Sequence, residues 1–288
     1  MENHIRDALT KVKDSSSLKK FNSIQGGDIN QAFYVETEKQ SYFIKVNEGV
    51  PSHFFQVEAD GLEAIRETRT IRVPDVYYYD IPRSKETAAL VMEWIEPGSS
   101  DSPEKLGRQL AQLHQNCASQ YGYGAKTFVG KLDQPNEWER SWVDYYRNHR
   151  LGRQLEAGIT KGTINKKRRT GLEQVIEKLD HYLPADPKPS LLHGDLWGGN
   201  WMTDMQGSPV LIDPSILYGD HAFELAFTEL FGGFPQSFYD AYQENFPLPD
   251  SYEETKPLYQ LFYLLVHLNM FGEMYGPPVD RIINHFSD

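Results

Sequence analysis

The sequence predicts an α+β protein in two parts, a small sheet-rich amino-terminal part and a larger, mainly helical carboxy-terminal part. Short runs rich in β-branched and aromatic residues dominate the first 95 residues, with one strong helical pattern among them. A turn-rich connector, Glu96-Pro97-Gly98-Ser99-Ser100, comes next, and helical periodicity prevails after it. The 288 residues are enough for two such parts. We therefore expect them at residues 1–95 and 96–288.

The amino-terminal part begins with a predicted hairpin. Phe33-Tyr34-Val35 and Tyr42-Phe43-Ile44-Lys45-Val46 are β-rich runs separated by a polar turn. A helix is predicted to open at Ser52, and its apolar face consists of Phe54, Glu58, Leu62 and Ile65. The later run Ala88-Ala89-Leu90-Val91-Met92 is continuously apolar. Such a run is typical of a strand that is covered on both faces.

The carboxy-terminal part is predicted to be helical with two short interruptions. Ser102 followed by Pro103 is typical of a helix start, and residues 138–155 and 170–183 also follow a helical pattern. Two apolar runs interrupt the helices, at residues 190–192 and 209–212, and each leads directly into an aspartate motif. The remainder, residues 222–285, is predicted to be aromatic-rich helix.

Composition excludes several classes of protein. Lys and Arg total 29 against 41 Asp and Glu, which gives a net charge of −12. Because nucleic acid and anionic lipid repel such a chain, we expect neither as a partner. No stretch reaches the roughly 18 apolar residues of a membrane span, and the amino end lacks the apolar core of a signal peptide. The single cysteine, Cys117, excludes an internal disulfide and indicates the cytoplasm.

Lys45 and Glu58 are charges on faces that otherwise read as buried. Lys45 stands inside the apolar run of the second hairpin strand, and Glu58 lies on the apolar face of the following helix. Taken separately, the lysine could reach solvent from an edge strand and the glutamate could mark the boundary of the helix face. Taken together, two opposite charges on neighbouring elements predict an ion pair.

Asp195, Asn200 and Asp213 are the strongest candidates for chemistry. Asp195 and Asn200 are five residues apart after one apolar run, and Asp213 ends the next. We expect the three at adjacent strand ends, where Asn200 and Asp213 would bind Mg²⁺ and Asp195 would act as a base. Mg²⁺ takes oxygen ligands and usually one or two protein groups. Combined with the upstream Lys45 and Glu58, the order is that of protein-kinase-like phosphotransferases.

The glycine-rich stretch at residues 26–32 is a weaker signal. Gly26 and Gly27 precede the first predicted strand, where a phosphate-covering turn would belong. The stretch is not a G-x-G-x-x-G motif, and Asp28 would place a negative charge near phosphates. An ordinary turn therefore remains an alternative.

Several longer segments together resemble the fructosamine kinase (ketosamine-3-kinase) family, and the resemblance covers nearly the whole chain. The segments are Leu191-Leu192-His193-Gly194-Asp195-Leu196-Trp197-Gly198-Gly199-Asn200, Asn136-Glu137-Trp138 with Trp142, His149-Arg150-Leu151, Ile212-Asp213-Pro214, Tyr218-Gly219 through Glu224-Leu225-Ala226, Phe231-Gly232-Gly233-Phe234 and Tyr259-Gln260-Leu261-Phe262. That family is related to the aminoglycoside phosphotransferases and has the two-lobed protein-kinase-like fold. The resemblance therefore implies an amino-terminal nucleotide-binding lobe and a carboxy-terminal catalytic lobe.

The resemblance also implies a nucleotide site in the amino-terminal lobe. Lys45 would hold the α- and β-phosphates of ATP, and Glu58 would orient it. Met92 would border the adenine pocket, and the backbone of Glu93, Trp94 and Ile95 would contact the adenine.

For the carboxy-terminal lobe, the resemblance assigns the base to Asp195 and the Mg²⁺ ligands to Asn200 and Asp213. Trp197 would line the sugar site. His221 and Glu224 are expected to brace the metal-binding loop without reacting themselves.

The implied function is an ATP-dependent kinase that phosphorylates the 3-hydroxyl of ketosamines such as ribulosamines or fructosamines. Phosphorylation there destabilises sugar–amine adducts, so the implied role is repair of glycated proteins or amines. An acidic acceptor groove would suit such a substrate. Two alternatives stay open, an aminoglycoside- or choline-type kinase and a regulatory pseudoenzyme that binds nucleotide. The preferred ketosamine and the oligomeric state are not predicted.

Overall fold

The amino-terminal part is built on an antiparallel sheet. The computed structural model describes residues 2–24, 30–83, 86–99 and 101–287. The strands are β1 (Leu18–Ile24), β2 (Gln31–Thr37), β3 (Ser41–Glu48), β4 (Val76–Tyr79) and β5 (Thr87–Glu93). Within the described ranges they form a five-stranded sheet in the order β1-β2-β3-β5-β4. The predicted hairpin is confirmed as β2 and β3, whereas β1 has no counterpart in the sequence prediction.

Helices cover both faces of this sheet. Strand side chains alternate between the two faces, and helix α1 (Glu2–Lys11) packs its apolar side on the face that carries Ile44 and Val46. Helix α2 (Phe54–Thr68) packs on the opposite face, with Leu90 and Met92. The prediction of a strand covered on both faces is confirmed for β5, since residues 88–92 are all buried. Lys45 alternates onto the α2 face.

The carboxy-terminal part is mainly helical, and a 20-residue helix lies in its core. The helices are α3 (Pro103–His114), α4 (Trp142–Tyr145), α5 (Gly152–Lys161), α6 (Lys166–Glu177), α7 (Leu179–Tyr182), α8 (His221–Thr228), α9 (Gln236–Asn245), α10 (Tyr252–Phe271) and α11 (Gly276–Ser287). A π-helical turn, Tyr146–Leu151, joins α4 to α5, and a 3-10 turn, Glu273–Tyr275, precedes α11. In the ranges that the structure describes, no helix is long and apolar enough to cross a membrane.

Short strand pairs interrupt these helices. They are β6 (Thr127–Val129) with β7 (Leu132–Gln134), β8 (Ser190–Leu192) with β11 (Leu217–Gly219), and β9 (Trp201–Thr203) with β10 (Pro209–Leu211). The expectation that the two aspartate motifs follow adjacent strands is wrong, because β8 and β10 belong to different pairs. The loops that follow β8 and β10 meet through hydrogen bonds.

One predicted helix begins later than its pattern indicated. The helical pattern starts at residue 138, but Glu139 exchanges two backbone hydrogen bonds with Tyr121, of 2.8 and 2.9 Å. A residue paired in this way has an extended backbone, so α4 begins only at Trp142. Ser141 caps it by accepting a hydrogen bond from the backbone N–H of Asp144.

Arg72 joins the sheet to the carboxy-terminal part. Its guanidinium donates to Glu93 Oε1 at the end of β5 and to Asp204 Oδ2 beyond β9, each at 2.6 Å. Pro97 in the connector also forms a backbone bridge with Asp204. The end of β5 is therefore tied directly to the strand pair of β9 and β10.

Candidate active site

A cavity of about 560 Å³ brings half of the predicted site residues together. Its lining includes Lys45, Glu58, Asp195, Trp197, Asn200 and Asp213. Met92, Glu93, Trp94 and Ile95 are absent from its described lining, and Met92 instead packs in the core beside α2. Gly26, Gly27 and Asp28 lie outside the described residues.

Lys45 is held at the cavity by two carboxylates. Its Nζ donates to Glu58 Oε1 at 2.7 Å and also to Asp213 Oδ1. The lysine side chain is 5% exposed and that of Glu58 is 13% exposed. Burial alone would lower the pKa of Lys45, but Asp213 and Glu58 raise it above its ordinary value. Lys45 is therefore a fixed positive charge.

His193 connects the Asp195 loop to the Asp213 loop. Its Nε2 donates to the carbonyl of Ile212 at 2.8 Å, and its Nδ1 accepts from the backbone N–H of Asp195 at 3.3 Å. Gly194 has φ +83, and a Cβ at this position would overlap the carbonyl of Ser215. Only glycine fits here without strain, so the loop can pass close to the chain that follows Asp213.

Glu224 braces the loop that carries Asp195, as the sequence predicted. Its carboxylate accepts hydrogen bonds from the backbone N–H groups of His193 and Gly194 and from His114 Nε2 at 2.8 Å. Burial opposes ionisation, but these donors hold the pKa of Glu224 below its ordinary value. A buried carboxylate with three donors fixes the backbone immediately before Asp195.

His221, by contrast, has its described hydrogen bond with Tyr242 and not with this loop. Its Nδ1 lies 2.8 Å from the hydroxyl of Tyr242, which is also 2.7 Å from His114 Nδ1. The sequence pattern did not indicate the roles of His114 and Tyr242 in this hydrogen-bond network. The available signal was a histidine on the leucine-rich face of α3, since a buried polar group requires a partner.

We expect acid to destabilise the protein partly through His221. Burial, with His114 and Lys188 nearby, lowers the pKa of His221 to about 3. An unfolded histidine has a pKa of about 6.5. Between these values the unfolded chain binds the proton and the fold does not, so stability is lost as pH falls. Between about pH 7.5 and pH 5, the melting temperature of His221→Gln should therefore fall less than that of the parent. The difference corresponds to about 1–2 kcal/mol of stability that the variant does not lose.

The matched control for this measurement is His181→Gln, because His181 is exposed. Thermal melts at both pH values compare the three proteins. If the parent and His221→Gln lose the same stability on acidification, the titration of His221 is not responsible.

Asp195 faces a surplus of negative charge. Asn200 Nδ2 donates to its carbonyl at 2.8 Å and to its Oδ2 at 3.1 Å. Burial and the nearby Asp213 nevertheless raise the pKa of Asp195 to about 8. In the described cavity lining, the ammonium of Lys45 stands against three carboxylates, those of Glu58, Asp195 and Asp213. A divalent cation would remove that surplus and stabilise an ionised Asp195.

The donors at this end of the cavity fit a hard cation. Asp213 offers a carboxylate with 42% of its side chain exposed, and Asn200 offers an amide oxygen. In the described ranges, no three histidine, cysteine, aspartate or glutamate side chains form a metal cluster. Mg²⁺ does not need one, since its sites use one or two carboxylates and take phosphate and water as further ligands.

Another part of the cavity lining is aromatic. We call Phe231, His267, Phe271 and Tyr275 the aromatic wall; they line the cavity together with Phe227, Val266, Met270 and Met274. None of these side chains is acidic, but the same described lining also includes Glu58, Asp195 and Asp213. Phe231, Phe271 and Met274 are 41%, 45% and 74% exposed. Trp197, 45% exposed, also lines the cavity.

Comparison with known proteins shows which family has this architecture. The model of the fructosamine kinase family matches residues 1–287. A probable ketoamine kinase of Enterococcus faecium is 39% identical over 97% of this chain and 100% of the relative. A chloroplastic protein-ribulosamine 3-kinase of Arabidopsis thaliana is 33% identical over 99% of this chain and 88% of the relative.

Solved structures share the fold. A crystal structure of a putative fructosamine-3-kinase of Haemophilus somnus has a TM-score of 0.87 and 29% identity, over 97% of this chain and 95% of that chain. An aminoglycoside phosphotransferase has a TM-score of 0.60 and 15% identity, over 99% of both chains. The likeness to the second protein shows the fold alone, which is the predicted two-lobed protein-kinase-like fold.

Proposed function

The chain belongs to the fructosamine kinase family, and from that premise we propose that it transfers the γ-phosphoryl group of ATP to the 3-hydroxyl of ketosamines. Ribulosamines and fructosamines are the substrates that we expect. The observation that carries the proposal is the cavity in which Asp195 lies beside a carboxylate-held lysine and a pair of oxygen donors. The name of the Arabidopsis thaliana relative supports the 3-position.

The nucleotide would be held mainly by the amino-terminal lobe, at residues 1–95. Lys45 offers its ammonium to the α- and β-phosphates, and Glu58 keeps that ammonium at the cavity. Met92 and the backbone of residues 93–95 would meet the adenine, and Gly26 with Gly27 would cover the phosphates. Bound ATP and Mg²⁺ would supply the phosphoryl group and balance its charge.

The carboxy-terminal lobe, residues 96–288, would carry the acceptor chemistry. Asn200 and Asp213 would hold Mg²⁺ through oxygen atoms, which relieves the charge surplus around Asp195. The ionised Asp195 then accepts a hydrogen bond from the acceptor hydroxyl and orients its oxygen. It takes the proton as the new O–P bond forms and the bond from the γ-phosphorus to the bridging oxygen of ATP breaks, so that ADP leaves. Trp197 would border the sugar, and the apolar side chains that line the same cavity would limit the access of water.

The biological role that follows is repair of glycated proteins or amines. A phosphate on the third carbon is a better leaving group than the hydroxyl it replaces. Its β-elimination as inorganic phosphate leaves an imine at the first carbon, and hydrolysis of that imine releases the amine and a 3-deoxy sugar. The presence of Lys45, Asp195, Asn200 and Asp213 in one cavity argues against a pseudoenzyme, which is expected to lack one of them.

An assay of ATP consumption with four acceptors tests the proposal. The purified protein with Mg²⁺ should release ADP with a ribulosamine or a fructosamine, and release far less with an aminoglycoside or choline. Phosphorus NMR of the product should place the phosphate on the third carbon. ADP release with the aminoglycoside or choline alone would contradict the proposal, and so would ADP release that leaves every acceptor unmodified.

A further inference from the structure

His267 lies one helical turn beyond a residue that touches the Asp195 loop. Tyr263 on α10 donates its hydroxyl to the carbonyl of Gly194 at 3.2 Å. The Nδ1 of His267 lies 2.7 Å from the carbonyl of Tyr263. His267 and Asp195 line the same cavity. A molecule that presents its hydroxyl to Asp195 therefore has the imidazole of His267 within the same enclosure.

The hydrogen bond to Tyr263 determines which nitrogen of His267 is free. A carbonyl oxygen only accepts, so Nδ1 carries a proton. Burial lowers the pKa of His267, which keeps the ring neutral at pH 7. Its Nε2 is then a lone-pair acceptor, and the structure gives it no hydrogen-bond partner among the described residues. A residue of the cavity lining thus carries an acceptor for which the described residues provide no donor.

The rest of the aromatic wall surrounds this acceptor. The His267 ring centroid lies 4.6 Å from that of Phe231, 5.0 Å from that of Tyr275 and 5.6 Å from that of Phe271. None of the carboxylates in the described cavity lining belongs to the aromatic wall. Aromatic rings attract a cation within about 6 Å of their centroids. The wall therefore suits an organic ammonium better than it suits a neutral hydroxyl or an anion.

We propose that His267 is the residue that selects ketoamines by their amine, with its Nε2 accepting a hydrogen bond from the substrate ammonium while the aromatic wall surrounds that charge. This inference rests on the proposed function and extends it to the recognition of the amine. The 3-oxygen and the amine nitrogen of a ketosamine are separated by four single bonds, about 5 Å. Both ends fit inside a cavity of about 560 Å³.

Two substrates and two substitutions test the proposal. The substrates are an N-alkyl ribulosamine and ribulose, the same sugar without the amine. His267→Phe keeps a ring of similar size and removes the acceptor, whereas His267→Gln keeps an acceptor. His267→Phe should lower kcat/KM for the ribulosamine about 10- to 100-fold, mainly through KM, which is the usual effect of losing a hydrogen bond to a charged group.

The same substitution should change kcat/KM for ribulose less than about threefold, and His267→Gln should stay within about tenfold of the parent on both substrates. His285→Phe, at an exposed histidine on α11, is the matched control. Thermal melts and the affinity of each variant for a 3-deoxy ribulosamine provide readouts that do not depend on turnover. That affinity should fall in His267→Phe alone.

Equal losses on both substrates would overturn the inference, because His267 would then serve the sugar or the fold. An unchanged preference for the ribulosamine in His267→Phe would also overturn it. In both cases the parent still phosphorylates the ketosamine, and the proposed function survives. If the parent phosphorylates no ketosamine, the proposed function fails and the inference fails with it.

Discussion

Replacing Asp195 by asparagine is expected to lower kcat about 10²–10⁴-fold while leaving the affinity for ATP almost unchanged. Asparagine keeps the shape of the side chain and its hydrogen bond with Asn200, but it cannot take a proton from the acceptor hydroxyl. Removal of a general base costs that factor in most enzymes, roughly 3–5 kcal/mol of barrier. Lys45 and Glu58 are untouched, so the binding of nucleotide should change little.

The pH dependence of stability separates a catalytic Asp195 from a merely structural one. Its pKa of about 8 in the fold, against about 4 in the unfolded chain, means that the fold binds the extra proton between these values. Stability of the parent therefore falls as pH rises from about 4 to 8. Asparagine carries no charge, so the ligand-free variant should melt above the parent at about pH 8.5 and close to it at pH 4.5.

Three measurements check this prediction: single-turnover rate, nucleotide affinity by calorimetry, and melting temperature at the two pH values. A structural anchor would instead produce a lower melting temperature at every pH and a parallel loss of ATP affinity. A variant that phosphorylates a ketosamine within tenfold of the parent rate would rule out Asp195 as the base.

Replacing Asp213 by asparagine is the second change from which we expect a large effect, a loss of about 10³-fold or more in turnover that excess Mg²⁺ does not restore. A bound metal contributes several kcal/mol of charge stabilisation to a transition state, which corresponds to that factor. Asparagine also suits the left-handed backbone of Asp213, with φ +56, better than alanine does. Lys45 keeps Glu58 as its partner, so the fold should remain intact.

Initial rates over a range of Mg²⁺ concentrations test this assignment. Asp133→Asn is the matched control, because it removes an exposed carboxylate from β7. It should follow the parent curve. Near-normal turnover of Asp213→Asn at saturating Mg²⁺ would show that Asp213 is not a metal ligand.

The parts of the site that depend on nearby residues were predictable from the sequence. A lysine inside an apolar strand and a glutamate on the apolar face of the next helix each lack solvent, so their pairing follows from local pattern and charge. Lys45 and Glu58 are 13 residues apart and are joined at 2.7 Å. The motif around Asp195 was predictable for the same reason, since its residues are close in the chain.

Contacts between distant segments were not predictable in this way. His114 forms a hydrogen bond with Glu224, which is 110 residues away in the chain. The sequence around His114 does not indicate which buried acceptor it will contact, and the sequence around Glu224 does not indicate its donor. The pairing of β8 with β11 also depends on register between separated strands, where three-residue strands carry little pattern. His267 was visible only as a polar interruption in the apolar stretch that became α10.

The charge of the acceptor groove stays a prediction. The net charge of −12 is a sum over the whole chain, whereas the described cavity lining combines three carboxylates with aromatic side chains from α8, α10 and the segments that follow them. A total charge describes long-range attraction. It does not describe the lining of one cavity.

Helix α10 places two requirements on the same rigid element, and this limits how the protein can evolve toward new acceptors. Its Tyr263 donates a hydrogen bond to the carbonyl of Gly194, next to Asp195, and its His267 lines the cavity, where we propose that it binds the amine of the acceptor. A substitution that tilts or rotates the buried helix disturbs turnover and selectivity together. The exposed side chains of Phe231 and Met274 lie outside α10 and do not serve both requirements. Laboratory selection for altered acceptors should therefore accumulate changes at these rim positions before it alters α10.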